Sequence, residues 1–428
     1  MMRSAMIRQC YLFALLVLLP IDWFGPTGKL LREFGAKPAV LLLTLGSLVI
    51  LLTQPVSTIR FPKSTARAGF LLGTILILGL TGFWVNLVFS WSSFDRAKNP
   101  VIQFVAQAAI FAAFALAVLA HARLFEDPKA RSQLIGALPW AALVHLSVIL
   151  LEALGLVSNS SGWLSLFRTD QSIYIGRPSG LMSEPSYFGA GAAILGIPLL
   201  LIRDWRHRFW ARALAIALFV FAIIIRAKTF VPVTLGQFVV YLWMRGRKAV
   251  TVRNLVFASS LLLISLFMVV SNAALDLSEN LSTVMRVGST ALALNAAAQG
   301  YCVPGIGFGQ FHFFYSEKFA PAFMAASSEA LQEMSWSTDM RASTYNLFVR
   351  LLLECGIAGL MLFLFLLFNA MSFARKDTEP ATVFAMLLVA GSIAFLCTQD
   401  SYFYPPLAVG LAVLLGRRAE VELQQSQS

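Results

Sequence analysis

Arg226 and Lys228 stand one residue apart in Ile223-Ile224-Ile225-Arg226-Ala227-Lys228-Thr229-Phe230, with apolar side chains on both sides. Arg168, Arg177, Arg286 and Arg341 lie in the segments between long apolar runs or at their edges. A base beside an apolar run is costly at membrane depth, so it is usually paired or functional. Arginine stays charged in a low dielectric and grips phosphate through two parallel hydrogen bonds, so a converging set of these cations suits a pyrophosphate. For any one base, snorkelling to headgroups explains the placement as well. For the whole set, an anion site is the better account.

Glu184 is the second chemical candidate, in Ser183-Glu184-Pro185-Ser186-Tyr187-Phe188-Gly189. The stretch reads as a helix start, with Ser183 as cap and Pro185 in the first turn. Those roles explain Ser183 and Pro185 but not Glu184, which could pair with an arginine or take a proton from a hydroxyl. Among four histidines, His312 alone falls in an outer loop, and His145 reads as a hydrogen-bonded core residue. No clustered Asp or His argues for a metal, and no Walker, G-x-S-x-G or twin-carboxylate pattern occurs. No cofactor is signalled.

These residues must be positioned by membrane helices. Of 428 residues, 58% are apolar and 13% charged, and the mean hydropathy is +0.75. Soluble chains carry about a quarter charged residues. That excludes a soluble enzyme, a secreted disulfide scaffold and a disordered chain. Apolar runs mark twelve spans near 9–24, 38–54, 68–90, 101–121, 133–155, 185–202, 209–225, 229–244, 254–272, 346–371, 381–398 and 402–416. The first follows Arg3 and Arg8 without a small-residue cleavage site and reads as a retained span. Four dispersed cysteines form no CxxC pair.

A net charge of +12 would suggest nucleic acid in a soluble protein; here the positive-inside rule accounts for it. With the N-terminus inside, the inner side holds 20 bases and 7 acids, the remainder 13 and 14. Both termini are therefore predicted to be cytoplasmic. Ala273 to Tyr345 then forms one large outer loop, with a second from Leu156 to Ser183. Loops beyond about 15 residues are usually functional, which puts the chemistry outside. Within the large loop, Leu281 to Gln299 reads as a helix capped by Ser278, and Ser327 to Met340, with Glu329 and Glu333, as an amphipathic one. Between them, Pro304-Gly305-Ile306-Gly307-Phe308-Gly309-Gln310-Phe311 is too apolar for water. It must lie on lipid, re-enter the protein or pack as a turn over it, and its glycines would allow close approach to a ligand.

Arg286-Val287-Gly288-Ser289-Thr290-Ala291-Leu292-Ala293-Leu294, the Pro304–Phe311 segment, Ser343-Thr344-Tyr345-Asn346-Leu347 and Leu353-Glu354-Cys355-Gly356-Ile357-Ala358-Gly359 resemble the shared region of the O-antigen ligase and polymerase superfamily. Ser183–Gly189 resembles the matching helix start in Wzy-type repeat-unit polymerases of O-antigen and exopolysaccharide. The resemblance spans roughly Arg177 to Gly359. It implies an all-α polytopic fold of about twelve transmembrane helices, GT-C-like, with a large periplasmic loop between spans 9 and 10. The divisions are then 1–272, 273–345, 346–417 and a tail at 418–428.

The implied activity is metal-independent inverting glycosyl transfer at the periplasmic face of a bacterial inner membrane. It joins repeat units carried on undecaprenyl pyrophosphate, both donor and acceptor being such lipids. The family's pyrophosphate-holding arginines map onto Arg177, Arg226 and Arg286. Ligases carry a histidine before the asparagine that opens the post-loop helix; Tyr345 stands here, which counts against a ligase. Glu184 is the first candidate base, with Tyr345 and His312 behind it. The resemblance leaves room for a chain-length regulator and a flippase as partners, and gives no role to nucleic acid. Glycan transfer to lipid A core or protein stays open as an alternative, as does transport of a lipid-linked glycan. Against transport, polar residues gather at one face and no internal repeat relates two halves.

Overall fold

The computed structural model describes residues 5–31, 33–53, 62–89, 99–157, 162–167, 178–202, 208–245, 281–314 and 344–427. Among these, every regular element is helical. The predicted span 254–272, the cap Ser278 and the helix over 327–340 lie outside the described residues.

The helices are α1 (Ala5–Leu18), α2 (Gly25–Leu31), α3 (Glu33–Ala36), α4 (Pro38–Thr53), α5 (Lys63–Phe89), α6 (Pro100–Leu124), α7 (Pro128–Ala153) and α8 (Pro185–Leu201). They continue as α9 (Arg208–Ile224), α10 (Phe230–Arg245), α11 (Leu281–Ala296), α12 (Phe311–Phe314), α13 (Leu347–Glu354), α14 (Gly356–Ala374), α15 (Pro380–Leu396) and α16 (Pro405–Gln427). Four of them, α5, α6, α7 and α14, are long and apolar enough to cross a membrane. The chain is a helical protein of membrane type.

Local chemistry sets the starts. Asn99 caps α6, its side chain accepting from Val101 N at 2.9 Å, and Asp127 caps α7, accepting from Lys129 N at 2.9 Å; a proline follows each cap. At α8 the expected cap is wrong. Pro185 does occupy the first turn, but Glu184 is the capping position and Ser183 is engaged elsewhere.

Helices buried on all sides lie centrally, and those with an exposed apolar stripe lie outside. Most of α15 and α8 and the first half of α16 are buried. Around them α10 packs on α15, α16 on α6, α1 on α7, and α14 on α5. Phe70, Ile77, Trp84 and Val88 of α5 remain exposed, as a lipid-facing side requires.

One end of the bundle is tied by ion pairs. Arg131, fully buried, contacts Glu379 at 2.7 Å and Glu420 at 2.6 Å and donates to the Phe125 carbonyl. Arg417 reaches Asp377 at 2.8 Å, and Arg8 reaches Asp127 at 2.5 Å. All of these bases belong to the set counted as cytoplasmic. The α16 helix runs through Arg417 and Arg418 to Gln427, so the segment read as a tail is helical.

The predicted span 346–371 is not one helix. It breaks at Cys355–Gly356, and the freed backbone binds the glycine-rich loop: Ile306 N donates to Leu353 O, Gly307 N to Glu354 O and Ile357 N to Cys302 O, each at 2.9 Å. The loop therefore re-enters the protein. Irregular backbone is tolerated at membrane depth when buried in protein.

Candidate active site

At the end of the bundle opposite the ion pairs, two carboxylates fix the segment leading into α8. Glu152, near the end of α7, accepts from Ser179 N at 3.0 Å and Gly180 N at 2.7 Å. Asp22, just past α1, accepts from Ser183 N at 2.9 Å and from the Ser183 hydroxyl. Glu184 follows with extended backbone and makes no side-chain capping bond, while its carboxylate accepts from Ser186 Oγ at 3.2 Å. The serine that sequence assigned to capping thus anchors Asp22.

The α9–α10 turn packs directly on this helix start. The Thr229 hydroxyl donates to Ser186 O, and a Cβ on Gly189 would fall 2.6 Å from the Cβ of Ala227. Two bonds close α9, Ala227 N to Ala222 O and Arg226 N to Ile223 O, each 2.9 Å. This is the Schellman pattern, whose left-handed position favours glycine. At α7 that position is Gly155 (φ 70°), with Leu156 N bonded to Leu151 O. At α9 it is Arg226, at φ 52°. Arg226 and Lys228 are both exposed beside the α8 start.

Tyr345 is held from both sides. Thr344 N bonds the Asp400 carboxylate at 3.1 Å and Thr290 Oγ1 donates to Thr344 O at 2.7 Å. Asn346 caps α13, accepting from Phe348 N at 3.0 Å and donating to Cys397 O at 3.1 Å. Between these anchors Tyr345 sits at φ 50°. The Arg286 guanidinium lies over its ring at 5.9 Å. Among the described residues Arg226 and Tyr345 are the two non-glycine residues with positive φ. Such strain costs about 1–3 kcal/mol and tends to concentrate at functional sites.

Asp22, Glu184, Arg286 and Tyr345 all fall within electrostatic range of the Tyr187 hydroxyl, one turn into α8. The fold therefore brings Glu184, Arg286 and Tyr345 together from segments far apart in sequence. Arg168, Arg177 and Arg341 lie outside the described residues, and so does the side chain of His312. The backbone of His312 belongs to α12, which follows the re-entrant loop.

The loop's glycines serve the protein, not a ligand. A Cβ on Gly305 would come within 2.7 Å of Glu354 O, one on Gly307 within 2.6 Å of Phe83, and one on Gly309 within 2.7 Å of Gln107. All three have positive φ. Buried Glu354 clamps the loop, accepting from Gly309 N at 2.7 Å, Phe311 N at 3.4 Å and the Tyr402 hydroxyl. Arg350 spans from Glu354 at 3.3 Å to Asp400 at 3.6 Å, so one network braces both the loop and the Tyr345 segment. His145 is buried and bonded to Val17 O at 2.8 Å, a core residue as expected.

Sequence reasoning missed Asp22, Glu152 and Tyr187. Asp22 and Glu152 each carried a signal, a carboxylate inside or ending an apolar run, which is expensive unless used. Tyr187 carried none, since its role depends on neighbours distant in the chain. Comparison of the sequence with protein-family models finds no match, and comparison with curated proteins finds none either.

Proposed function

We propose that the chain is a membrane glycosyltransferase that joins lipid-linked oligosaccharide repeat units, on the polymerase pattern of its sequence resemblance. In this reading the protein is GT-C-like with about twelve spans, sits in a bacterial inner membrane, and works on its periplasmic side. The observation that carries the proposal is the convergence of Glu184, Arg286 and Tyr345 about Tyr187, with strained Arg226 on the adjoining turn.

The acceptor hydroxyl attacks the anomeric carbon of the donor as the bond to the lipid pyrophosphate breaks. Glu184 takes the hydroxyl proton. The departing pyrophosphate carries the developing negative charge, which Arg286, Arg226 and Lys228 stabilise as cations, the role that the sequence resemblance also gives to Arg177. Tyr345, braced beneath Arg286, aims that guanidinium. Holding both lipid-linked chains in register supplies the remaining advantage.

Purified protein given undecaprenyl-pyrophosphate-linked repeat units should produce a ladder of lengthened chains. Arg286→Ala should stop elongation while leaving membrane insertion intact. Unchanged substrate beside an active control polymerase, or full activity in Arg286→Ala, refutes the assignment. Glycan appearing on lipid A core would make the protein a ligase.

A further inference from the structure

Two short segments at the site's end of the bundle leave large apolar side chains bare. One is α2, which begins three residues after Asp22; the other is the Gly162–Phe167 turn, which lies between Glu152 and Ser179 in the chain. Distant in sequence, they meet in space. The Phe24 and Phe167 rings are 5.3 Å apart, and a Cβ on Gly25 would come within 3.2 Å of Leu166 O. Fully buried Leu164 roots the turn in the core. On the other side Trp163 is 47% exposed, Leu166 41% and Leu31 42%.

We propose that this pair is a membrane-surface anchor, seated at the boundary between headgroups and acyl chains of the phospholipid leaflet on the site's side. Continuity with α7 selects lipid as the occupant. That membrane-crossing helix exposes Trp140, Leu143, Leu150 and Leu154 at the spacing of one helix face. Leu156, 68% exposed, carries the apolar surface past the end of the helix, six residues before Gly162. Length sets the depth. The 26 residues of α7 reach about 39 Å, more than the ~30 Å hydrocarbon core, so the chain leaving it emerges among headgroups. Residue types suit that depth. Tryptophan favours it, having an apolar ring and a polar N–H. Lys29, exposed on α2, can lay its stem along the acyl boundary and raise its ammonium to a lipid phosphate. The anchor bears on the site because both segments are tied to the approach to α8. Asp22 holds Ser183, and Glu152 holds Ser179 and Gly180, so the leaflet fixes the depth of Glu184. This anchor rests on the membrane character of the chain and stands whichever reaction the site performs.

Spin labels read the depth. Full-length protein in phospholipid nanodiscs, its native cysteines replaced by alanine, carries a nitroxide at Trp163→Cys, Leu166→Cys or Leu31→Cys, all exposed positions. Reference labels sit at Leu150→Cys on the α7 stripe and at Lys129→Cys, exposed at the ion-paired end. The three anchor labels should collide more with lipid-soluble oxygen than with a water-soluble nickel complex, at a depth of about 5–10 Å between the two references. A second measurement leaves the cysteines untouched: lipids brominated near the top of the acyl chain should quench tryptophan fluorescence more in wild type than in Trp163→Phe. Nickel collisions at the level of Lys129→Cys in all three labels overturn the anchor. Shielding from both reagents does so too, since it would mark a protein cover such as a second copy of the chain. Equal bromine quenching in wild type and Trp163→Phe likewise overturns it.

Discussion

Glu354→Leu isolates the clamp that holds the re-entrant loop. Its carboxylate takes Gly309 N at 2.7 Å, the Tyr402 hydroxyl, Phe311 N at 3.4 Å and Arg350 Nε at 3.3 Å. Arg350 keeps other acceptors after the change, the Asp400 carbonyl at 2.9 Å and Gln107 Oε1 at 3.1 Å, so no guanidinium is orphaned. The loss falls on Gly309 N and the Tyr402 hydroxyl, with Phe311 N a weak third. A buried donor left unsatisfied costs about 1–3 kcal/mol, so two give roughly 4 kcal/mol, near a thousandfold in the folding equilibrium. Glu354→Gln keeps one acceptor oxygen and should lose about half as much. Unfolding in mixed micelles, followed by tryptophan fluorescence, reads the difference. Maleimide labelling of Cys355, buried at the break, reads loop release once the exposed Cys10 and Cys397 and the half-buried Cys302 are serine. A Leu variant within about 1 kcal/mol of wild type, with Cys355 still protected, would refute the clamp.

Asn346→Ala should cost about 1 kcal/mol as a lost helix cap. It should lower elongation far more than stability, since Tyr345 loses one of its two anchors; parallel losses in both would refute that coupling. At the ion-paired end, burial pushes the Asp377 carboxyl up, but hydrogen bonds from Arg417, Glu379 N and Thr382, with the Arg417 charge, hold it below the usual range. A depressed folded pKa gives stability that is full above the unfolded value, near 3.9, and is lost as pH falls below it. The melting temperature of wild type should therefore drop more steeply than that of Asp377→Asn below about pH 4. Equal slopes would refute the contribution of Asp377.

Composition alone determined that this chain packs as apolar helices, because so much apolar surface has no other resting place. It also marked where helices begin, since Asn99-Pro100 and Asp127-Pro128 carry their own caps. The grouping of the ion-paired bases at one end was legible from charge counts. So were Glu184, Arg286 and Tyr345 as candidates, through position and resemblance.

Tertiary structure decided the rest, for reasons that no local pattern encodes. The predicted span 346–371 is cut at Gly356 because the loop around Ile306 needs its carbonyls. Ser183 abandons capping because Asp22, 161 residues earlier in the chain, offers a stronger acceptor. The glycines of that loop answer Glu354, Phe83 and Gln107, which periodicity cannot see. Arg226 occupies a glycine's conformation because two backbone bonds and the packing on α8 fix its turn. Hydropathy is a property of segments and survives rearrangement; a partner is a property of the folded path, so it appears only once the helices meet.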